Sequence, residues 1–174
     1  MTMFLAISGS LRASSSNTTL LRATRRVAPA GVTVQLYEGL GSLPHFNPDL
    51  DIAPLPGPVV DLRARIAAAD ALVICSPEYA RGVAGAMKNA LDWLVSVEDF
   101  AGKPVALFNA SPRATHALAA LRLTLETMAA RVIDDAALTV PLLSAPMSED
   151  GIVNDTALAG EIRAKLAALV AACA

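Results

Sequence analysis

The chain has 174 residues, of which 54% are hydrophobic and 17% charged. That is enough to bury roughly 70% of the unfolded surface in one domain and too apolar for disorder. A net charge of −2 excludes a generally basic surface for nucleic acid, no apolar stretch reaches the roughly 18 residues that span a bilayer, and Cys75 and Cys173 form neither a metal spacing nor a disulfide framework. A single domain over residues 1–174 is expected, in a reducing, cytoplasmic setting, without membrane or nucleic-acid partners.

The N-terminus, MTMFLAIS, lacks the basic start of a signal peptide; MFLAI at 3–7 reads as a first strand that stops at Ser8-Gly9. Residues 18–28 predict a helix with Leu20, Leu21, Ala23, Thr24, Val27 and Ala28 on one face, Arg22, Arg25 and Arg26 outside, and Pro29 and Gly31 ending it. VTVQLYE from Val32 alternates as a strand, and 39–58, rich in Gly, Pro, Asn and Asp, reads as a long surface loop. A helix from about Val59 to Ala69 leads to the apolar strand ALVICS at 71–76. VAGAMKNALDWLVSV at 83–97 predicts a helix, 103–111 a strand, 114–130 a helix and 131–141 a last strand. Asn154-Asp155 caps a final helix that runs to about Ala172.

Strand and helix thus alternate about five times, and continuously apolar strands are typical of a parallel sheet covered on both faces. The expected fold class is α/β, doubly wound, with the two common strand orders both open at this point. Ligands in such sheets sit beyond the carboxyl ends of the strands. Three segments of unusual composition meet there: 8–18, 76–83 and 109–115.

The first crowds hydroxyls and amides (Ser8, Ser10, Ser14, Ser15, Ser16, Asn17, Thr18, Thr19) around Gly9 and Arg12, just ahead of a helix start. A helix N-terminus carries free N–H groups and about half a positive charge, so this composition suits an anion, phosphate above all. A solvated capping loop accounts for the same residues. Gly-Lys-Ser/Thr is absent, so this is no Walker A loop, and without GxGxxG the dinucleotide-binding reading is weak. The second segment offers Pro77, Tyr79, Arg81 and Gly82, with a tyrosine placed to stack beside a planar ligand or to pack on its neighbours. Arg113 stands at the edge of the third. His116 and His45 read as surface residues, Cys75 as a small buried hydrophobe. In the 83–97 helix, Val83, Met87, Ala90, Leu91 and Leu94 share the sheet-facing side, which leaves Trp93 on the flank. An indole there wants cover, from a second subunit or from the 96–103 loop.

GSLRxxSxN at Gly9–Asn17 and PEYxxGxxGxxKNxLDW at Pro77–Trp93, at matching separation, resemble the signatures of NADPH-dependent FMN reductases, a family that includes chromate and quinone reductases. The resemblance implies a flavodoxin-like five-stranded parallel sheet of order 2-1-3-4-5 with helices on both faces. It implies FMN as cofactor and NADPH or NADH as co-substrate. It places Ser10, Arg12, Ser15 and Asn17 around the phosphate with Thr18 close by, Pro77, Glu78, Tyr79, Ala80 and Gly82 beside the isoalloxazine, and Ser111 reaching in from the third loop. Ala80 stands where the family usually has Asn, which removes a side-chain donor to the ring, and the third loop lacks the family's double glycine. The implied activity passes electrons from NADPH through flavin to a small acceptor: a quinone, azo compound, chromate or free flavin. No side chain is assigned as a general base, because the cofactor carries the redox step. A homodimer or homotetramer through the 83–97 helix is expected by the same resemblance. The alternative is a flavodoxin-like electron carrier or a non-catalytic flavin- or nucleotide-binding module; dispersed acidic residues weigh against the carrier.

Overall fold

A computed structural model describes residues 1–173. In chain order the elements are β1 (Thr2–Ser8), α1 (Ser16–Val27), β2 (Val32–Tyr37), α2 (Gly57–Ala68), β3 (Ala71–Cys75), β4 (Glu78–Tyr79), β5 (Gly82–Val83), α3 (Gly85–Asp92), β6 (Pro104–Asn109), α4 (Thr115–Thr127), β7 (Arg131–Val132), β8 (Leu138–Thr139), α5 (Glu149–Asn154) and α6 (Thr156–Ala171). The main sheet is parallel, ordered β2-β1-β3-β6-β7, with β8 also pairing β6. Counting its strands along the chain, the order is 2-1-3-4-5, the flavodoxin-like arrangement.

Side chains alternate across each strand, so an apolar strand feeds two cores. Leu5 and Ile7, Leu72 and Ile74, and Val105 and Leu107 face one side, where α2, α3 and α4 cover them with Leu62, Ile66, Met87, Leu91, Leu121 and Leu125. Phe4 and Ala6, Val73 and Cys75, and Ala106 and Phe108 face the other, under Leu20, Leu21, Ile152, Ile162 and Leu166 of α1, α5 and α6. Every residue of β3 is buried, as its unbroken apolar run requires.

Several expectations need correction. The 83–97 helix is shorter: residues 82–83 pair with 78–79 as a hairpin, and the helix proper is Gly85–Asp92. Val83 therefore belongs to β5, while Met87, Ala90, Leu91 and Leu94 are buried as expected. Trp93 does not wait for a partner, because it is 0% exposed within this one chain. Its cover is the 39–58 segment rather than the 96–103 loop alone. The indole Nε1 donates to the Pro44 carbonyl at 2.8 Å, and Phe46 meets the ring edge-on at 5.1 Å between centroids. Asn89 completes the clamp, donating to the same carbonyl at 2.9 Å and accepting the Phe46 N–H at 2.8 Å. Further along, Arg63 bonds Asp51 at 2.6 Å and the Trp93 carbonyl at 2.7 Å, while Ser96 donates to Asp51 at 2.7 Å. The last strand is two short pieces, β7 and β8, separated by a 3-10 turn at Asp134–Ala136, and α5 adds a helix the sequence reading left out.

Candidate functional site

The carboxyl ends of β1, β3 and β6 bring the three unusual segments together. The first two touch at Gly9, whose N–H donates to the Cys75 carbonyl at 2.9 Å. A Cβ on Gly9 would lie 2.2 Å from Ser76 Oγ, so only glycine permits this approach. Two hydroxyls then fix the loop: Ser8 Oγ and Thr18 Oγ1 share a hydrogen bond of 2.8 Å, and the Ser10 N–H donates to Ser8 Oγ at 3.3 Å. Ser15 is the N-cap of α1, its Oγ accepting the Thr18 N–H at 3.3 Å. Ser16 and Asn17 open the helix, and their N–H groups have no partner within it. The first turn contains no acidic residue to occupy that positive end.

The second segment is a β-hairpin. Its two central residues, Ala80 and Arg81, have φ of 50° and 59°, the left-handed values that a two-residue primed turn demands. Glu78 reaches across to α4: its Oε2 accepts the Ala117 N–H at 2.8 Å. Tyr79 stands 53% exposed at the rim. In the third segment, buried Asn109 accepts the Ser111 N–H at 3.1 Å, a tight turn that carries Ser111 and Arg113 to the opening.

Together these walls enclose a solvent-open cavity of about 290 Å³. Of the residues singled out from the sequence, Ser10, Arg12, Ser15, Asn17, Pro77, Glu78, Tyr79 and Ser111 line it, and Arg113 does as well. Thr18, Ala80 and Gly82 do not. Thr18 shares a hydrogen bond with Ser8 and faces a neighbouring cavity with Arg22, Tyr37 and Glu38. Ala80 and Gly82 belong to the hairpin turn, beyond the rim. His116 is exposed and His45 lies in the outer loop, as read from the sequence. Sequence reasoning missed Asn109 and Leu143 as cavity walls. Asn109 carried a signal, a polar residue ending a wholly buried strand, whereas Leu143 lies in a stretch without periodicity. Cys75 is buried as expected, and burial in apolar surroundings pushes its thiol pKa far up, so it is no nucleophile. Among the described residues no group of three or more His, Cys, Asp and Glu is placed to hold a metal ion, and no helix is long and apolar enough to cross a membrane.

Known proteins resemble this chain in sequence and in fold. An NAD(P)H-dependent FMN reductase of Pseudomonas aeruginosa is 38% identical over 109 residues, 62% of this chain and 58% of its own length. A quinone reductase of Escherichia coli is 37% identical over 106 residues, 59% of this chain and 56% of its own length. The matched region thus spans less than two thirds of either relative. Among solved structures, the flavoenzyme NAD(P)H:(acceptor) oxidoreductase FerB from Paracoccus denitrificans superposes with a TM-score of 0.80 at 28% identity, covering 99% of this chain and 97% of its own. The family model for NADPH-dependent FMN reductase matches residues 2–142, a span that takes in the hydroxyl-rich loop, the hairpin and the Asn109 turn, and the chain belongs to that family.

Proposed function

We propose that the chain is an FMN-dependent NAD(P)H oxidoreductase that passes electrons from NADPH to a small acceptor such as a quinone. The observation that carries this is one cavity lined both by the hydroxyl-rich start of α1 with Arg12 and by Pro77, Tyr79, Ala114 and Leu143.

The residues present fit FMN. The phosphate would lie at the N-terminus of α1, where the free N–H groups of Ser16 and Asn17, the hydroxyls of Ser10, Ser14 and Ser15, and the Arg12 guanidinium offer donors without a competing carboxylate in the first turn. The ring would lie between the Pro77–Tyr79 segment and residues 109–114, with Leu143 as an apolar wall. Bound flavin supplies hydride acceptance from reduced nicotinamide and electron delivery to the acceptor. The protein's own residues bind and orient. Arg12 and the α1 terminus neutralise the phosphate, Tyr79 gives the rim a planar surface, and Glu78 holds the hairpin against α4. A reducing, cytoplasmic setting stays part of the proposal. Self-association along 83–97 stays part of the proposal, but it now rests on Val95, 67% exposed, and not on Trp93.

Titration of the purified protein with FMN, followed by NADPH, tests the reading. Flavin absorbance that bleaches with NADPH and recovers with a quinone is the expected result. Flavin that binds but never oxidises NADPH favours an electron carrier, and no flavin binding overturns the reading. Replacing Arg12 and Ser15 together should weaken FMN roughly tenfold or more, the scale of one good charge-assisted contact.

A further inference from the structure

Cys75 ends β3 beneath the cavity, wholly buried and in no disulfide. Its sulfur nonetheless has one directed polar contact, to the loop that follows β1. Sγ lies 3.1 Å from Asn17 Oδ1, at the start of α1. A carbonyl oxygen carries no proton, so across this contact the thiol donates and Oδ1 accepts. The contact therefore fixes which way the Asn17 amide points. Oδ1 is held down on the thiol, and Nδ2, with no protein partner among the described residues, is left for the cavity that Asn17 lines.

We infer that Cys75 is a positioning residue for the phosphate cradle: its S–H orients the Asn17 amide so that an N–H donor, not the carbonyl, meets the phosphate of a bound flavin nucleotide. The inference rests on the FMN reading above. Without the thiol, nothing else among the described residues bonds Oδ1, and the amide is free to present its repulsive end to an anion. A serine at 75 keeps the O–H donor. An alanine or valine at 75 removes it, and valine also fills the space.

The test compares two ligands that differ only in the phosphate, FMN and riboflavin, by fluorescence titration of the wild type, Cys75→Ser, Cys75→Ala, Cys75→Val and Asn17→Ala. Thermal melts identify the variants that fold cooperatively, and the comparison is read from whichever of the alanine and valine variants does so. FMN should bind about three- to tenfold more weakly to Cys75→Ala and Cys75→Val, a fraction of the roughly tenfold or larger effect of losing a hydrogen bond to a charged group. Cys75→Ser should stay close to the wild type, and riboflavin should bind all of them alike. Adding Cys75→Val to Asn17→Ala should cost nothing further, since the thiol acts through that amide. FMN binding unchanged in Cys75→Val, riboflavin and FMN weakening in parallel, or full additivity with Asn17→Ala would each overturn the inference while leaving flavin binding intact. A wild type that binds neither ligand would overturn the functional reading itself.

Discussion

Glu78 Oε2 accepts the N–H of Ala117 at 2.8 Å across 39 positions of sequence. Helix α4 has no side-chain cap of its own, because its N-cap residue is Ala114. The hairpin thus caps the helix from outside and places a carboxylate at its positive end. Glu78→Ala should remove both effects, on the order of 1–2 kcal/mol, or a fall of roughly 2–8 °C in Tm for a domain of this size. Glu78→Gln keeps an acceptor but loses the charge, so its Tm should fall between the two. Equal Tm values for all three proteins would show that the contact is idle.

Ala80 gains a different meaning from its φ of 50°. The family's Asn at this position suits a left-handed turn as well as a ring contact, since Asn tolerates positive φ where alanine is strained. Ala80→Asn should stabilise the protein by about 1 kcal/mol, with Ala80→Gly also stabilising but less, owing to its larger unfolded-state entropy. Melting curves measure this. FMN affinity separates the roles: if Asn tightens FMN binding and Gly does not, the side chain reaches the ring after all.

Trp93 is the chain's single tryptophan, which makes its burial directly observable. Its emission and its quenching by acrylamide should not change when the protein is diluted through any subunit dissociation, because Pro44 and Phe46 of the same chain cover it. Trp93→Ala should cost about 3–5 kcal/mol in denaturant unfolding, the usual loss for a large aromatic removed from a core. Concentration-dependent quenching would return the indole to an interface.

Asp51 ties the long loop to the α2–α3 corner, and the Ser96 hydroxyl and then the Arg63 guanidinium hold its carboxyl below the usual range. A carboxyl depressed in the folded state contributes stability above its unfolded pKa of about 3.9, and that contribution fades as pH falls through the folded value. Asp51→Asn should therefore narrow the stability gap to wild type as pH drops below about 4. Urea midpoints at pH 7 and pH 3 measure it. A gap that stays constant between the two would mean the ion pair is not formed.

Kinetics should be ping-pong. The three segments frame one opening, so the flavin face proposed between Tyr79 and the 109–115 segment should take one planar ligand at a time. Double-reciprocal plots with NADPH varied at several quinone levels should give parallel lines; intersecting lines would require both substrates to sit together.

What was legible in the sequence follows from how local the cause is. β1, β3 and β6 show in unbroken apolar runs, and the capping of α6 shows in Asp155, because those causes lie within a few residues. Eight of the residues that the family resemblance implied for the site line the cavity, because the motifs that carry the resemblance fall at strand ends. The failures have non-local causes. Whether Trp93 is covered depends on where residues 44–46 fold back, which no periodicity records. The hairpin hid because Ala80 and Arg81 are poor residues for a primed turn, so the apolar run from Val83 read as the start of a helix. Thr18 lies off the cavity lining for a reason spacing does not show: its hydroxyl shares a hydrogen bond with Ser8.

The division of the fifth strand also decides how the sheet meets its surroundings. At that margin β6 is paired only through Pro104–Val105 and Phe108–Asn109, by two pieces of two residues each with a 3-10 turn between them. A margin so interrupted presents no continuous row of free N–H and C=O groups, so it cannot template an incoming strand. The opposite margin, β2, keeps six consecutive residues in extended form. Any strand-by-strand recruitment of another chain, including the start of an aggregate, is therefore confined to one side of the molecule.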